Sequence, residues 1–240
     1  MKVLVIIPAA GLGTRMASAA SAVRGEQPAK QFTEIGGTPI LIHTLRRFAS
    51  SPLVESIYVA LRSEQEQARF AGQIAGEKLR VPVHVVQGGE NRQQSVGNAL
   101  AALSAAPDDV VLVHDAVRPF VELETIRNVI EAAAQHGAAI AGMPAVDTIK
   151  QVERTANGAI ITSTVPRERV VMAQTPQGFR FALLRQAFEE ADRDGFLGTD
   201  EASLLERMGH EVVVVMGSPR NIKITTPADL ELAEFFLAHR

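Results

Sequence analysis

The first residues that could do chemistry lie near the start of the chain. An apolar run at residues 3–7 is followed by Gly11 and Gly13, and then by Arg15 and Lys30. The run is typical of a buried parallel strand. Because glycines carry no side chain, they let an anion approach the backbone closely, and the two basic residues add positive charge. The pattern predicts a site for a triphosphate at the end of the first strand.

Other structures would fit parts of this stretch. A glycine turn after a strand can be no more than a turn. The Walker sequence is absent, since no Gly-Lys-Ser/Thr follows. The dinucleotide-binding fingerprint also fails, because Met16 stands where its third glycine belongs. A secretory signal would begin with a similar basic residue and apolar run, but here a proline, two glycines and an arginine interrupt the run.

Two further polar segments follow predicted strands. Residues 88–95 read GGENRQQS and residues 114–119 read HDAVRP. Ligands of open parallel sheets bind beyond the carboxyl ends of the strands, so we expect both segments to meet the first loop there. Asp115 is the expected Mg²⁺ ligand, since this ion takes one or two carboxylates together with substrate phosphates. Alternatively, Asp115 only pairs with Arg118 or caps the following helix.

Three more basic residues have both a functional and a structural interpretation. Arg92 opens a predicted helix, where it would fit a solvated face. Arg167 lies in the polar turn PRER, which by itself is typical of a surface. Lys223 lies among apolar residues, and because burying an unpaired lysine is costly, a phosphate partner would account for it.

The length, net charge and composition of the chain limit the class of protein to which it can belong. The chain has 240 residues, a formal net charge of −3, six histidines and no cysteine. It is long enough for one large domain with a substantial core, and its charge gives no general attraction to nucleic acid or membranes. No apolar run approaches the length of a spanning helix. Disulfides and thiolate metal sites are excluded, and the histidines lack zinc-ligand spacing. We expect one domain over residues 1–240, located in the cytoplasm, with no nucleic-acid or membrane partner.

Strands and helices alternate along most of the chain. Strands are predicted at residues 3–7, 56–61, 83–86, 110–113, 138–143 and 212–216, with helices between them and an extended piece at 221–225. The alternation predicts an α/β fold with a mainly parallel central sheet and helices on both faces. The continuously apolar strand at 110–113 is expected at the centre. Two helix starts are predicted from capping residues, at Thr38 with Pro39 and at Thr199.

Residues 147–171, which we call the β-arm, break this alternation. Two β-rich segments flank Asn157-Gly158, a strong hairpin turn signal. A two-stranded hairpin alone is only marginally stable in water. The β-arm is therefore expected to pack on something else, either a partner subunit or its own domain.

Several motifs occur together in one order along essentially the whole chain. They are PAAGLGTR at 8–15, KQ at 30–31, GG at 88–89 with Arg92 and Ser95, VHDAVRP at 113–119, DT at 147–148, TPQ at 175–177, TD at 199–200 and NIK at 221–223. This set resembles the 2-C-methyl-D-erythritol 4-phosphate cytidylyltransferase family of the non-mevalonate isoprenoid pathway. The first motif is shared with sugar nucleotidyltransferases in general, whereas HDAxRP with TPQ and NxK is far more specific.

The resemblance implies a fold, a reaction and an assembly. The fold is a Rossmann-like nucleotidyltransferase domain that forms a homodimer through an exchanged β-arm. The reaction transfers a cytidylyl group from CTP to 2-C-methyl-D-erythritol 4-phosphate with Mg²⁺, giving 4-diphosphocytidyl-2-C-methyl-D-erythritol and pyrophosphate. Arg15 and Lys30 are implied to stabilise the transition state. Arg167 and Lys223 are implied to act at the acceptor phosphate, with Arg167 supplied by the partner's arm.

The remaining roles are also implied by the resemblance. Asp115 would bind Mg²⁺, and Thr148 would hold the acceptor phosphate. The residues implied to hold the cytidine and its phosphates are Ala9, Ala10, Gly11, Gly13, Gly89, Glu90, Arg92 and Ser95. Arg118 and Thr175 are expected to line the same site.

Two departures from the family pattern leave details open. The family usually has Pro-Lys-Gln, whereas this chain has PAKQ at 28–31 after a longer, Ala- and Ser-rich segment at 17–27, so the register of Lys30 stays open. Arg220 precedes the NIK motif, where an acidic residue is common. Two other functions also remain alternatives: a ribitol 5-phosphate cytidylyltransferase and a non-catalytic nucleotide-binding protein.

Overall fold

The computed structural model describes residues 1–11, 30–156 and 158–239. Gly13, Arg15 and Asn157 lie outside these ranges. The strands are β1 Val3–Pro8, β2 Glu34–Ile35, β3 Thr38–Pro39, β4 Ser56–Leu61, β5 Val83–Gln87, β6 Val110–Val113, β7 Ala138–Pro144, β8 Ile149–Thr155, β9 Gly158–Val165, β10 Val171–Arg180 and β11 Val213–Met216. The α-helices are α1 Ile40–Ala49, α2 Glu64–Ala75, α3 Arg92–Ala101, α4 Leu123–His136, α5 Phe181–Arg193, α6 Glu201–Arg207 and α7 Pro227–Ala238.

The central sheet has seven strands in the order β11-β7-β10-β6-β1-β4-β5. β1 pairs in parallel with both β4 and β6, β4 with β5, and β7 with β11. The prediction of an α/β fold with a mainly parallel sheet is confirmed, and β6 is the middle strand, as its continuous apolar run indicated. The carboxyl ends of β1, β5 and β6 therefore meet at one edge, where the polar segments after them lie.

Helices cover both faces of the sheet because successive strand residues point to opposite sides. On one face, Val110 and Leu112 pack in a cluster that includes apolar residues of α1 and α4. On the other face, Val111 and Val113 pack in a cluster with α3, α5 and α6. No helix within the described ranges is long and apolar enough to cross a bilayer.

Strand β10 was missing from the sequence prediction. It runs antiparallel between β6 and β7, and so it separates the two parallel parts of the sheet. Its sequence reads VMAQTPQGFR, and a proline inside a run normally argues against an internal strand. The structure accommodates Pro176 because the pairing with β7 skips from Ala173 to Gln177. The strand carries the TPQ motif into the centre of the sheet.

Three local predictions were wrong. Thr38 and Pro39 form β3 rather than the start of α1, because Pro39 is extended (ψ 140°) and pairs with Glu34. Asp200, not Thr199, caps α6, since its carboxylate accepts the backbone N–H of Ser203. Residues 221–225 form no strand, although the backbone N–H of Ile224 donates to Val117.

The β-arm contains the predicted hairpin. β8 and β9 pair antiparallel from Ile149 and Val165 to the turn. Within these strands every described residue except Ile149 and Val165 is exposed, so the arm does not fold back on its own domain.

Buried hydrogen bonds tie the end of β6 to β10. The carbonyl oxygen of Arg118 can only accept, so the Nε2 of His114, 3.0 Å away, must carry the proton. The Nδ1 of His114 then accepts the hydroxyl proton of Thr175 at 3.1 Å. The Thr175 oxygen in turn accepts the backbone N–H of Asp115 at 3.0 Å. These bonds suit a neutral imidazole, and they hold the backbone that carries Asp115.

The pKa of His114 is lowered to about 4, mainly by burial. The Arg118 carbonyl and Asp115 act in the opposite direction, and the charges of Arg118 and Arg92 add to the lowering. The folded protein therefore binds fewer protons than the unfolded chain between its ordinary pKa of 6.5 and about 4. Over that interval the free energy of unfolding falls as the pH falls.

We predict that His114 lowers the free energy of unfolding by about 2 kcal/mol between about pH 7 and about pH 5. Because the chain has no tryptophan, unfolding by urea in metal-free buffer would be followed by far-ultraviolet circular dichroism. The variant His114→Gln should lose this part of the pH dependence, whereas His84→Gln, at an exposed position, should keep it. An unchanged pH dependence in His114→Gln would contradict the assignment of a buried neutral imidazole.

Candidate active site

A cavity opens at the carboxyl ends of β1, β5 and β6, where the sequence placed the ligand site. It is lined by Pro8, Ala9, Ala10, Gly11, Lys30, Gln31, Gly89, Glu90, Asn91, Arg92, Ser95, Asp115, Ala116, Val117 and Lys223. Segments from separate parts of the chain thus meet in one place. The parallel strands bring them together, because each segment directly follows a strand or is anchored to one.

Two loops form part of the cavity wall and pack closely against each other where Gly88 meets Ala10. The backbone N–H of Gly88 donates to Leu61 at 2.7 Å. A Cβ atom on Gly88 would lie 2.4 Å from the Cβ of Ala10, so no larger residue fits there without moving the first loop. By contrast, a Cβ on Gly11 would have no atom of the described residues within 4 Å. The first loop therefore presents open backbone to the cavity.

Ser95 and Gln31 hold these loops in shape. The hydroxyl of Ser95 donates to Asn91 at 2.8 Å and accepts the backbone N–H of Gly89 at 3.0 Å. The buried side-chain amide of Gln31 donates to the carbonyl of Ala9 at 2.5 Å. Gln31 was quoted in a motif but not given a role, and its position beside Lys30 was the available signal.

Asp115 is surrounded by basic side chains. Its carboxylate lies 2.9 Å from Lys223 Nζ, 3.1 Å from Arg118 Nε and 3.6 Å from Arg92 Nε, and its side chain is 10% exposed. Burial alone would raise the pKa of Asp115, but the three positive charges outweigh burial and hold the pKa well below its usual range. The carboxylate is therefore ionised throughout the physiological pH range. The alternative expected from sequence, an ion pair between Asp115 and Arg118, is present, but it is one of three ion pairs that Asp115 makes.

The charges around Asp115 leave a local excess of positive charge. Three cations contact one carboxylate, and Lys30 lies in the same cavity wall. Such a site attracts anions, and positive groups fixed before binding need no reorganisation when an anion arrives. The arrangement can neutralise phosphate groups. The described residues contain no group of three or more His, Cys, Asp or Glu side chains placed to hold a metal ion.

The NIK segment is anchored from behind the cavity. A guanidinium nitrogen of Arg118 donates to the carbonyl of Asn221 at 2.6 Å. The buried amide of Asn221 donates to the carbonyl of Thr175 at 2.8 Å. The TPQ motif, the HDAxRP motif and Lys223 are thus joined through hydrogen bonds, which explains why these separate motifs occur together.

Glu201 was missed as part of the site. Its carboxylate accepts from Arg92 at 2.7 Å, and its side chain is 2% exposed. No sequence signal pointed to its contact with Arg92, because the two residues are more than a hundred positions apart.

The structure places the residues named from sequence in three groups. Those that line the cavity are Ala9, Ala10, Gly11, Lys30, Gly89, Glu90, Arg92, Ser95, Asp115 and Lys223. Arg118 and Thr175 lie behind it, where both bind other protein groups. Thr148 and Arg167, at the base of the β-arm, do not line it, and Arg167 donates to Val146 at 3.0 Å. Gly13 and Arg15 lie outside the described residues.

Comparison with known proteins gives a consistent result. The family described as 2-C-methyl-D-erythritol 4-phosphate cytidylyltransferase matches residues 3–239. A protein of that name from Acidobacterium capsulatum is 59% identical over 240 residues, covering 100% of this chain and 99% of its own. The namesake from Solibacter usitatus is 53% identical over 241 residues, covering 99% and 96%.

Solved structures agree. The crystal structure of 2-C-methyl-D-erythritol 4-phosphate cytidylyltransferase from Thermus thermophilus is similar with a TM-score of 0.77 and 35% identity, over 99% of this chain and 100% of that one. The 4-diphosphocytidyl-2C-methyl-D-erythritol synthase of Anaerococcus prevotii has a TM-score of 0.81 and 28% identity, over 99% and 98%. The chain belongs to the 2-C-methyl-D-erythritol 4-phosphate cytidylyltransferase family and is a nucleotidyltransferase.

Proposed function

We propose that the protein joins CTP to 2-C-methyl-D-erythritol 4-phosphate in this cavity, with Mg²⁺ bound through Asp115. The products are 4-diphosphocytidyl-2-C-methyl-D-erythritol and pyrophosphate, as the family implies. The observation that supports this use of the cavity is the buried, ionised Asp115 with three basic side chains around it, beside an open glycine loop. We also propose that the protein works in the cytoplasm.

The chemistry requires positive charge more than a general base. The acceptor phosphate is already ionised near neutral pH, so no proton has to be removed from it. Two unit charges about 4 Å apart repel by roughly 4 kcal/mol at an effective dielectric constant near 20. A phosphate that approaches a triphosphate meets several such repulsions. Arg92 and Lys223 in the cavity, together with Lys30, offset them and hold the reacting groups in position.

Asp115 fits Mg²⁺ only together with the nucleotide. A bare dication at this carboxylate would be repelled by Lys223, Arg118 and Arg92, all within 3.6 Å of it. Triphosphate oxygens would reverse that balance and supply most of the oxygen ligands that Mg²⁺ takes. We therefore propose that the ion enters as its complex with CTP. When bound, Mg²⁺ would neutralise charge on the phosphates.

We propose a homodimer that forms through the β-arm. Ile160 and Ile161 of β9 are 62% and 61% exposed, and Val152 of β8 is 45% exposed. A hairpin with exposed apolar side chains on both of its faces is only marginally stable by itself. A second copy of the arm and domain would cover these side chains. It would also bring Arg167 to a neighbouring cavity, which it does not line in its own chain.

Asp115→Asn is expected to lower turnover on the order of 10²–10³-fold, the usual effect of removing one fixed electrostatic group. Pyrophosphate release would be measured with CTP, Mg²⁺ and 2-C-methyl-D-erythritol 4-phosphate, with ribitol 5-phosphate tested separately. Mn²⁺ binding followed by electron paramagnetic resonance should require CTP and be weakened in the variant. Asp108→Asn, at an exposed carboxylate before the same strand, is the control. Wild-type Mn²⁺ affinity in Asp115→Asn would remove this residue as the metal ligand.

Charged residues on the β-arm should separate the subunits. The double variant Ile160→Asp/Ile161→Asp is expected to sediment as a monomer of 25.8 kDa, whereas the wild type sediments as a species of twice that mass. Leu53→Asp introduces an aspartate at an exposed leucine outside the arm, and this control should stay dimeric. A dimeric double variant would show that the subunits meet elsewhere.

Mixed dimers test whether Arg167 serves the neighbouring cavity. Arg167→Ala and Asp115→Asn should each be nearly inactive alone. If Arg167 acts across the interface, a dimer of one chain of each kind contains one complete site. Random mixing during co-expression should then restore about a quarter of wild-type activity. If the mixture stays as inactive as its parents, Arg167 acts within its own chain, and an Arg167→Ala parent with wild-type activity would show that Arg167 has no part in the reaction.

A further inference from the structure

We propose that Glu201 positions Arg92 for binding the nucleotide and prevents Arg92 from pairing closely with Asp115. The inference rests on the proposed use of the cavity for CTP. Glu201 would act entirely through Arg92, because the cavity lining includes Arg92 but not Glu201.

Arg92 lies between two carboxylates and is held more closely by the buried one. The more deeply buried carboxylate is that of Glu201. A terminal guanidinium nitrogen of Arg92 donates to Glu201 at 2.7 Å, whereas the Nε of Arg92 lies 3.6 Å from Asp115. The Arg92 side chain is 29% exposed and that of Glu201 is 2% exposed. Glu201 is therefore buried behind Arg92, where it can fix the guanidinium without touching a ligand.

The position of Glu201 is fixed by the same strands that fix Asp115. Gln177 pairs with Val113, two residues before Asp115 in sequence. The Gln177 side chain donates to Asp200 at 2.7 Å and accepts the backbone N–H of Ala202 at 3.1 Å. These two bonds, on either side of Glu201 in sequence, hold the first turn of α6 to β10. Both carboxylates that contact Arg92 thus belong to one rigid frame.

Burying the Glu201 carboxylate costs free energy of folding, and its packing in the protein does not by itself offset that cost. Its Oε2 atom is buried and has no hydrogen-bond partner among the described residues. A buried ion pair often stabilises a protein no more than apolar residues of the same volume would. An unpaired buried acceptor adds a further cost. The arrangement is accounted for if the carboxylate is needed to aim Arg92.

Loss of the Glu201 charge should move the Arg92 guanidinium away from Glu201 and closer to Asp115. Without that charge, Asp115 would be the remaining carboxylate within 4 Å of the guanidinium in the described part of the chain, and it already pairs with Lys223 and Arg118. Closer pairing would withdraw Arg92 from the nucleotide phosphates and also cover an oxygen of Asp115. Both effects weaken binding of Mg·CTP.

The test is a double-mutant cycle on Mg·CTP affinity, measured by titration calorimetry without acceptor. We expect Glu201→Gln to raise Kd about tenfold, the effect of one charge-assisted hydrogen bond. Arg92→Gln should raise Kd at least as much. The double variant should match Arg92→Gln within about twofold, because Glu201 has nothing left to position. Glu206→Gln, an exposed glutamate on the same helix, should bind like the wild type.

Each other outcome has a distinct meaning. Wild-type affinity in Glu201→Gln, or a tenfold loss that persists on top of Arg92→Gln, would overturn the positioning role. Circular dichroism checks folding, and if Glu201→Gln does not fold, Glu201→Asp replaces it in the same cycle, since it keeps the charge but shortens the reach to Arg92. A wild-type protein that does not bind Mg·CTP would reject the proposed function itself, and this inference with it.

Discussion

The structure depends on the pairing of one buried carboxylate, Asp115, with three basic side chains. A lone carboxylate at 10% exposure would be expensive to keep ionised, and clustered cations without it would repel one another. Together they form a group with net positive charge that is stable before any ligand arrives. Such a group can accept phosphates without rearranging, which is the main requirement for joining two anions. The metal role that we propose for Asp115 follows from the same balance.

The fold is arranged to hold that group in place. Asp115 follows β6 in the middle of the sheet, Arg92 is the first residue of α3, and Lys223 lies in the segment before α7. The antiparallel strand β10 links them, because Thr175 holds the backbone of Asp115 and Gln177 holds the start of α6. A mainly parallel sheet alone would bring the loops to one edge but would not connect them in this way.

Much of this could be predicted from sequence, and the exceptions have physical causes. The apolar runs located six of the seven central strands. Burial on both faces leaves a continuous apolar run in β1, β4, β6 and β7, whereas the edge strands β5 and β11 are partly exposed but still rich in valine. β10 was missed because Pro176 and Gly178 are unfavourable inside a strand, and the sequence does not show that the pairing with β7 skips the proline. Asp115, Arg92 and Lys223 were each identified by motif, but their mutual contacts were not, because distance along the chain carries no information on ion pairing. Glu201 was missed for the same reason.

The account is tested most directly by a crystal structure of the protein with CTP and Mg²⁺. It predicts that the triphosphate lies against the backbone of residues 9–11 and 89–90. It also predicts that the metal ion contacts Asp115 and that Arg92 and Lys223 contact the phosphates from the positions they already hold in the free protein. A nucleotide bound elsewhere, or one bound here with no metal ion on Asp115 and no phosphate contact from Arg92 or Lys223, would contradict the central claim.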